Sequence, residues 1–191
     1  MVKKILISAM TVLLLLTSGC EQPQNQPPDN PKQTEVNHGN GIEVDENPTP
    51  NVKNTENGVT TMEVTVYYPD QSGISLIPVK REIKFSDDKQ KYIETVNLLL
   101  ENPTEEDLTK IFPKGAKINS VTLEKDTAIV DFDSSITKNF VGGSTGEEFL
   151  INSVVDTLTD FDEVKQVRFL IDGKEVETLA GHMDLSEPIK R

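Results

Sequence analysis

The chain contains a single cysteine, Cys20, and it lies four residues after the end of the apolar segment at the N-terminus. Because a second cysteine is missing, the folding part of the chain cannot form an intramolecular disulfide and must depend on its apolar core. Without residues 1–19, the 191-residue chain keeps 172 residues, a length that suits one domain and a tail.

The first 20 residues are typical of an export signal. Lys3 and Lys4 precede an apolar run from Ile5 to Leu16, which is shorter than the roughly 20 residues needed to cross a bilayer. The residues that lead to Cys20 look like a bacterial lipobox. This resemblance implies that residues 1–19 are a lipoprotein signal peptide and that Cys20 is lipidated on its sulfur, becomes the new N-terminus and is acylated on its amine. The alternative is an ordinary signal peptide with an incidental cysteine.

The charge of the chain limits its partners. Removal of the signal takes away Lys3 and Lys4 and lowers the formal charge from −13 to about −15. Such an acidic surface argues against nucleic-acid binding and against adsorption to anionic lipid, since both need clustered Lys and Arg. The predicted membrane contact is therefore the lipid on Cys20, which would hold the protein at the extracytoplasmic face of the cell membrane.

Residues 20–60 are predicted to be a disordered tether. From Glu21 to Thr60 the chain is rich in Pro, Asn, Gln, Glu and Asp and has no aromatic residue. A segment of this composition cannot bury enough apolar surface to offset the entropy lost on ordering.

Residues 61–191 carry the periodicities of a folded domain. Alternating apolar positions predict strands near 62–68, 76–85, 118–123, 127–132 and 164–171, with a short strand at 174–176 after an Asp172-Gly173 hairpin turn. Helical spacing predicts helices near 92–100 and 147–159. The order β-β-α-β-β-α-β-β predicts an α+β, two-layer domain with two helices packed on one face of a mixed, mainly antiparallel sheet.

The glycine-rich run 142–146 allows two interpretations. It matches the G-x-S-x-G nucleophile elbow, with Ser144 as the nucleophile and Asp172 and His182 following in hydrolase order. The favoured interpretation is a helix start, because Ser144 precedes Glu147 by the three positions of a capping box, as Thr145 precedes Glu148. The sequence indicates no metal site and no cofactor, since His182 is the only histidine outside the tether.

Several segments of the folded region resemble the GerMN domain family. The residues that carry the resemblance, which extends from about 62 to 189, are 64–70, 76–83, 111–118, 128–133, 142–147, 157–161, 167–174 and 179–185. The family occurs in exported sporulation and spore-germination proteins, and it is similar to the ring-building motifs of secretion and sporulation channels. No catalytic residue is implied. The signature positions, interpreted as fold-determining and secondarily as a partner surface, are Gly142, Gly143, Ser144, Glu147, Asp172 and Gly173.

The resemblance favours a non-catalytic envelope lipoprotein whose GerMN domain associates with itself or with a protein partner in an envelope complex. A second hypothesis is an accessory lipoprotein that binds cell wall or a small ligand. A third, more remote, is a serine hydrolase that uses Ser144.

Overall fold

The computed structural model describes residues 58–191 and the backbone of residues 52–54. The predicted signal peptide, Cys20 and most of the predicted tether lie outside the described residues. In chain order the elements are β1 (Val52–Asn54), β2 (Thr60–Pro69), β3 (Leu76–Phe85), α1 (Gln90–Leu100), β4 (Ile118–Glu124), β5 (Thr127–Phe132), α2 (Ser135–Lys138), α3 (Gly143–Leu158), β6 (Gln166–Ile171) and β7 (Lys174–Glu175).

The described strands form two sheets. In the first sheet β2 lies between β1 and β3, and both pairings are antiparallel. The second sheet has the order β4-β5-β6-β7, in which β5 and β6 run parallel and the other neighbours run antiparallel. The parallel pair requires a crossover connection, and α3 lies within that connection between β5 and β6.

The strand β2 is buried on both of its faces. On one face Thr65 is buried and accepts a hydrogen bond at its Oγ1 from the Lys80 ammonium (2.9 Å). The backbone N–H of Tyr67 donates to Thr157 Oγ1 of α3 at 3.1 Å, so the helix satisfies a strand edge that β1 does not reach. The opposite face contributes to the core through Met62, Val64, Val66 and Tyr68.

Both long helices join the two sheets through one apolar core. The helix α1 packs against β2, β3 and β4, and α3 packs against β2 and β6. Apolar positions of α3 are buried nearly all around the helix, which is the pattern of a central helix. In the second sheet, the rings of Phe132 and Phe169 stack with centroids 6.3 Å apart. The core residue Tyr68 donates its hydroxyl to Leu98 O at 2.7 Å, and burial raises its pKa to about 12.

The prediction of an α+β domain with a mixed, mainly antiparallel sheet arrangement is confirmed. The structure adds that the strands divide between two sheets and that a short helix, α2, precedes α3. Three residues within the predicted tether form β1, so strand pairing begins before the change in composition at residue 61. A three-residue strand has too little alternation to be recognised in a sequence.

A small polar cluster ties α1 to the turn before β6. Lys91 Nζ lies 2.9 Å from Glu163 Oε1, and the Tyr92 hydroxyl donates to the same oxygen at 2.8 Å. The Tyr92 ring packs edge-on against Phe161 at 5.2 Å. Burial alone would raise the pKa of Glu163, but the hydrogen bonds from Lys91, from its own backbone and from Tyr92 hold it below the ordinary value of 4.5.

We expect the Lys91–Glu163 pair to stabilise the fold in a pH-dependent way. Because the pKa of Glu163 is lowered in the folded state, its contribution is complete above about pH 5 and is lost as the pH falls through the lowered pKa. Glu163→Gln should reduce the free energy of unfolding at pH 7 by less than about 1 kcal/mol, because the carboxylate is partly exposed.

Urea unfolding at pH 7 and pH 3 measures this effect. The difference between Glu163→Gln and the unaltered chain should be smaller at pH 3 than at pH 7, because the carboxylate is closer to its lowered pKa there. The control is Asp162→Asn, which removes a neighbouring exposed carboxylate that makes no side-chain hydrogen bond within residues 58–191. An equal loss at both pH values would show that the ion pair is not the source.

Candidate interaction site

Glu147 is a fully buried glutamate in the first turns of α3. Its Oε1 accepts hydrogen bonds from the backbone N–H groups of Leu179 and Ala180, both at 2.9 Å. Its Oε2 accepts a third bond from the N–H of His182, also at 2.9 Å. A buried carboxylate is costly unless donors surround it, and these three bonds supply the compensation. Glu147 therefore attaches the segment after β7 to the beginning of α3.

The segment after β7, residues 176–191, forms a C-terminal strap across the domain. Leu179 and Leu185 enter the core, and the N–H of Leu185 donates to Glu177 O at 2.8 Å. Further along, Ile189 forms an antiparallel bridge with Val167 of β6 through two backbone hydrogen bonds of 2.8 Å. The strap is thus held to the rest of the domain by the Glu147 carboxylate, by its two buried leucines and by the bridge to β6.

The glycine-rich run begins α3 directly, so the predicted capping box is wrong. The helix starts at Gly143, its N-cap position is Gly142, and no side chain caps it. Ser144 lies exposed in the first turn, and Glu147 turns inward to the strap instead of capping. A Cβ at Gly142 would lie 2.8 Å from the Gly146 Cα, so only glycine fits this close approach.

The structure does not join the three residues of the hydrolase hypothesis. No hydrogen bond between residues 58–191 links Ser144, Asp172 and His182, and the Asp172 carboxylate accepts instead from the Ser134 N–H at 3.2 Å. A nucleophile elbow connects a strand to a helix, whereas α3 follows α2 and a short loop.

The Asp172-Gly173 turn has the conformation predicted for a two-residue hairpin. Both residues have positive φ angles, 48° and 72°. The Gly173 N–H donates to Asp131 Oδ1 at 2.8 Å, which connects the β6–β7 turn to the neighbouring strand β5. Within residues 58–191, no hydrogen bond connects this turn with Glu147.

A groove of about 630 Å³ runs along the exposed side of α3. One wall is formed by residues 73–76, which are the turn before β3 and the first residue of that strand. The basic pair Lys190 and Arg191 also lines the groove. The residues that α3 contributes are Thr145, Glu148, Phe149, Asn152, Val155 and Asp156. The groove combines apolar surface with charges of both signs.

The turn between β2 and β3 is rigid and presents an apolar side chain to solvent. Asp70 Oδ1 accepts bonds from the N–H groups of Ile74 (2.8 Å) and Ser75 (3.2 Å), and the Gln71 N–H donates to Asp107 O at 3.0 Å. The Ser72 hydroxyl donates to Asp70 Oδ2, and this bond, followed by those from the N–H groups of Ile74 and Ser75, lowers the pKa of Asp70. Ile74 is nevertheless 78% exposed, which is unusual for a large apolar residue held in a defined conformation.

Arg191 connects the strap to the C-terminal half of α3. Its guanidinium donates to the Tyr67 hydroxyl at 2.8 Å and lies 3.5 Å from Asp156 Oδ1 and 3.8 Å from Asp160 Oδ1. Burial raises the pKa of Asp156, and the nearby guanidinium opposes that rise. Arg191 is therefore engaged within its own chain, whereas Lys190 beside it forms no ion pair with any of residues 58–191.

Sequence reasoning missed the inward role of Glu147 and the groove. A glutamate three positions after a serine has the spacing of a capping box whether it caps its own helix or binds a distant segment. The local sequence does not indicate which backbone N–H groups will donate to its carboxylate. An isoleucine in a polar turn, Ile74 after Ser72-Gly73, is the one signal that could have indicated an exposed apolar group.

The part of the chain that the structure describes holds no group of three His, Cys, Asp or Glu side chains arranged to bind a metal ion. Within the same residues, no helix combines the length and the apolarity that crossing a membrane requires.

Comparisons with known proteins place the domain among sporulation proteins. The family model Germane, described as sporulation and spore germination, matches residues 65–177, which is more than half of the chain. The tandem GerMN domains of the sporulation protein GerM from Bacillus subtilis are 26% identical with a TM-score of 0.54, and the match covers 69% of this chain but only 46% of that one. The first GerMN domain of GerM is similar in fold, with 20% identity, a TM-score of 0.52 and coverage of 68% and 97%. No curated protein matches the sequence.

Replacement of Glu147 should free the strap. Glu147→Ala leaves three backbone N–H groups without their acceptor and opens a cavity, so we expect the free energy of unfolding to fall by about 3 kcal/mol. Hydrogen exchange should show loss of protection at the amides of Leu179, Ala180 and His182. The matched control is Glu148→Ala, which truncates the adjacent exposed glutamate and should change stability by less than about 0.5 kcal/mol. Unchanged protection in Glu147→Ala would contradict this account of the strap.

Proposed function

Because this chain belongs to the Germane family of sporulation and spore-germination proteins, we propose that it is a membrane-anchored envelope lipoprotein with a non-catalytic GerMN interaction domain. The domain would support the assembly of an envelope complex that serves sporulation or germination. The observation that carries this proposal is the match of residues 65–177 to the family. The GerMN domains of GerM, a sporulation protein, support the same setting.

The anchor part of the proposal rests on Cys20. Diacylglycerol on this cysteine would supply two acyl chains, which is the number that stable membrane anchoring takes. With a formal charge of −13 for the whole chain, electrostatic attraction to anionic lipid would not contribute. Residues 20–51 would separate the lipid from β1, and a flexible coil of that length spans roughly 30 Å.

The interaction part of the proposal rests on the character of the domain surface. A rigid turn displays Ile74 beside the groove along α3, and preorganised apolar groups of this kind favour protein contacts. Ser144, by contrast, lies in a helical turn without a hydrogen-bonded histidine or aspartate among the described residues. The arrangement supports binding better than nucleophilic catalysis.

Loss of the anchor should release the protein from the membrane. We expect Cys20→Ser to move the chain from the membrane fraction to the soluble fraction and to abolish fatty-acid labelling, because the thiol is the proposed attachment point. Mass spectrometry of the N-terminal peptide and cell fractionation measure both effects. Gln22→Ala, which leaves Cys20 in place, is the control. A bare thiol at Cys20 in the native protein would refute the anchor.

A second function, binding of cell wall or a small ligand, is favoured by one observation: the volume of the groove falls in the 300–1,000 Å³ range of ligand sites. A pull-down of the full chain on purified cell wall discriminates the two functions. If the domain binds protein, cell wall should retain the unaltered chain no better than it retains Phe149→Ala, a variant that alters the groove. Cross-linking in membranes should then give a defined larger species. If cell wall retains the unaltered chain but not Phe149→Ala, and cross-linking gives no larger species, the result would favour an accessory lipoprotein that binds cell wall.

A further inference from the structure

The groove along α3 has an acidic residue towards one of its ends and basic residues towards the other. Glu148 lies near the start of α3, and the strap brings Lys190 and Arg191 to the region of Asp156, eight residues further along the helix. Eight residues of an α-helix span about 12 Å. Within residues 58–191, neither Glu148 nor Lys190 has an ion-pair partner, although Arg191 is paired with Asp156 and Asp160.

Asn152 lies midway between these charged ends. It is four residues from Glu148 and four from Asp156, so all three positions follow one stripe of α3. A twofold axis that runs beside Asn152, perpendicular to two antiparallel α3 helices, therefore brings Glu148 of one copy to the end of the groove where Lys190 and Asp156 of the other copy lie. Asp156 is already paired with Arg191 of its own chain, so Lys190 is the unpaired charge that Glu148 meets there. This symmetry is the property of a surface that complements itself.

We propose that the groove binds a second copy of this chain, with the two α3 helices antiparallel across a twofold axis near Asn152. Glu148 of each copy then faces Lys190 of the other, and Ile74 adds apolar surface at the wall of the interface. This inference rests on the proposed interaction function and names the partner of that site. The charges set the register of the pair, while burial of Ile74 and Phe149 contributes most of the affinity.

The net charge of the chain opposes this association, and it determines the conditions of the test. Copies with a formal charge of about −15 after removal of the signal repel each other at low ionic strength. At 0.15 M salt the Debye length is about 8 Å, so distant charges are screened while the close Glu148–Lys190 contact persists. Anchoring in one membrane would raise the local concentration of the copies further.

The first experiment places a thiol at the proposed axis. Full-length chain in bacterial membranes at 0.15 M salt carries Asn152→Cys and is treated with a short thiol cross-linker. We expect a covalent dimer at a yield at least about tenfold above that of Thr122→Cys, an exposed position on β4 away from the groove. The unaltered chain, treated in the same way, measures any cross-linking that occurs through Cys20. Equal yields at the two positions would overturn the proposal.

The second experiment changes the surface in the Asn152→Cys background. Ile74→Asp should lower the dimer yield about tenfold, because it places an unpaired charge in the interface. The matched control is Val141→Asp, which alters an apolar residue that is 96% exposed but does not line the groove. Since both residues are exposed, neither variant disturbs the core.

Charge reversal tests the register. Glu148→Lys and Lys190→Glu should each lower the dimer yield several-fold, and the double variant should restore it, because the pair is then reversed but complementary. Failure of the double variant to recover would overturn the proposed register and with it the inference. If native membranes yield a larger cross-linked species that Ile74→Asp does not change, the proposed function stands and the groove is not its surface.

Discussion

A single buried carboxylate organises the part of the domain from which the candidate site is built. Glu147 lies in the interior at the start of α3 and accepts three backbone hydrogen bonds from the strap. Charge is tolerated in the interior only where donors replace water, so the position of α3 and the path of the strap depend on each other. The close approach at Gly142, which only glycine permits, lets the helix begin early enough to bring Glu147 to this position.

The groove depends on that arrangement. The strap continues from Glu147 to its bridge with β6 at Val167 and ends with Lys190 and Arg191 against α3. One charged end of the groove is therefore supplied by a segment that has no regular secondary structure beyond β7. Its opposite wall is the turn around Ile74, which the Asp70 carboxylate makes rigid. A surface with preorganised walls loses little conformational entropy on binding, and this property is the physical support for the proposed interaction function.

Local patterns predicted those elements whose geometry local interactions decide. The strand β3 and the β4–β5 hairpin follow from alternation, α1 from its apolar stripe, and the turn at Asp172 from residues that accept positive φ. The start of α3 was predicted wrongly because a serine-to-glutamate spacing has two outcomes. Glu147 could cap its own helix or bind another segment. In the structure it accepts hydrogen bonds from three N–H groups of the strap, and no side chain caps α3.

The sequence by itself determined the α+β class, the acidic character and the dependence on an apolar core without disulfides, because composition and periodicity express these properties residue by residue. Only the tertiary structure decided that the strands divide between two sheets, that Glu147 turns inward, and that Ile74, Asn152 and Lys190 share one groove. These features join residues far apart in the chain, and the energy of such contacts depends on packing and on hydrogen-bond partners that no local pattern records.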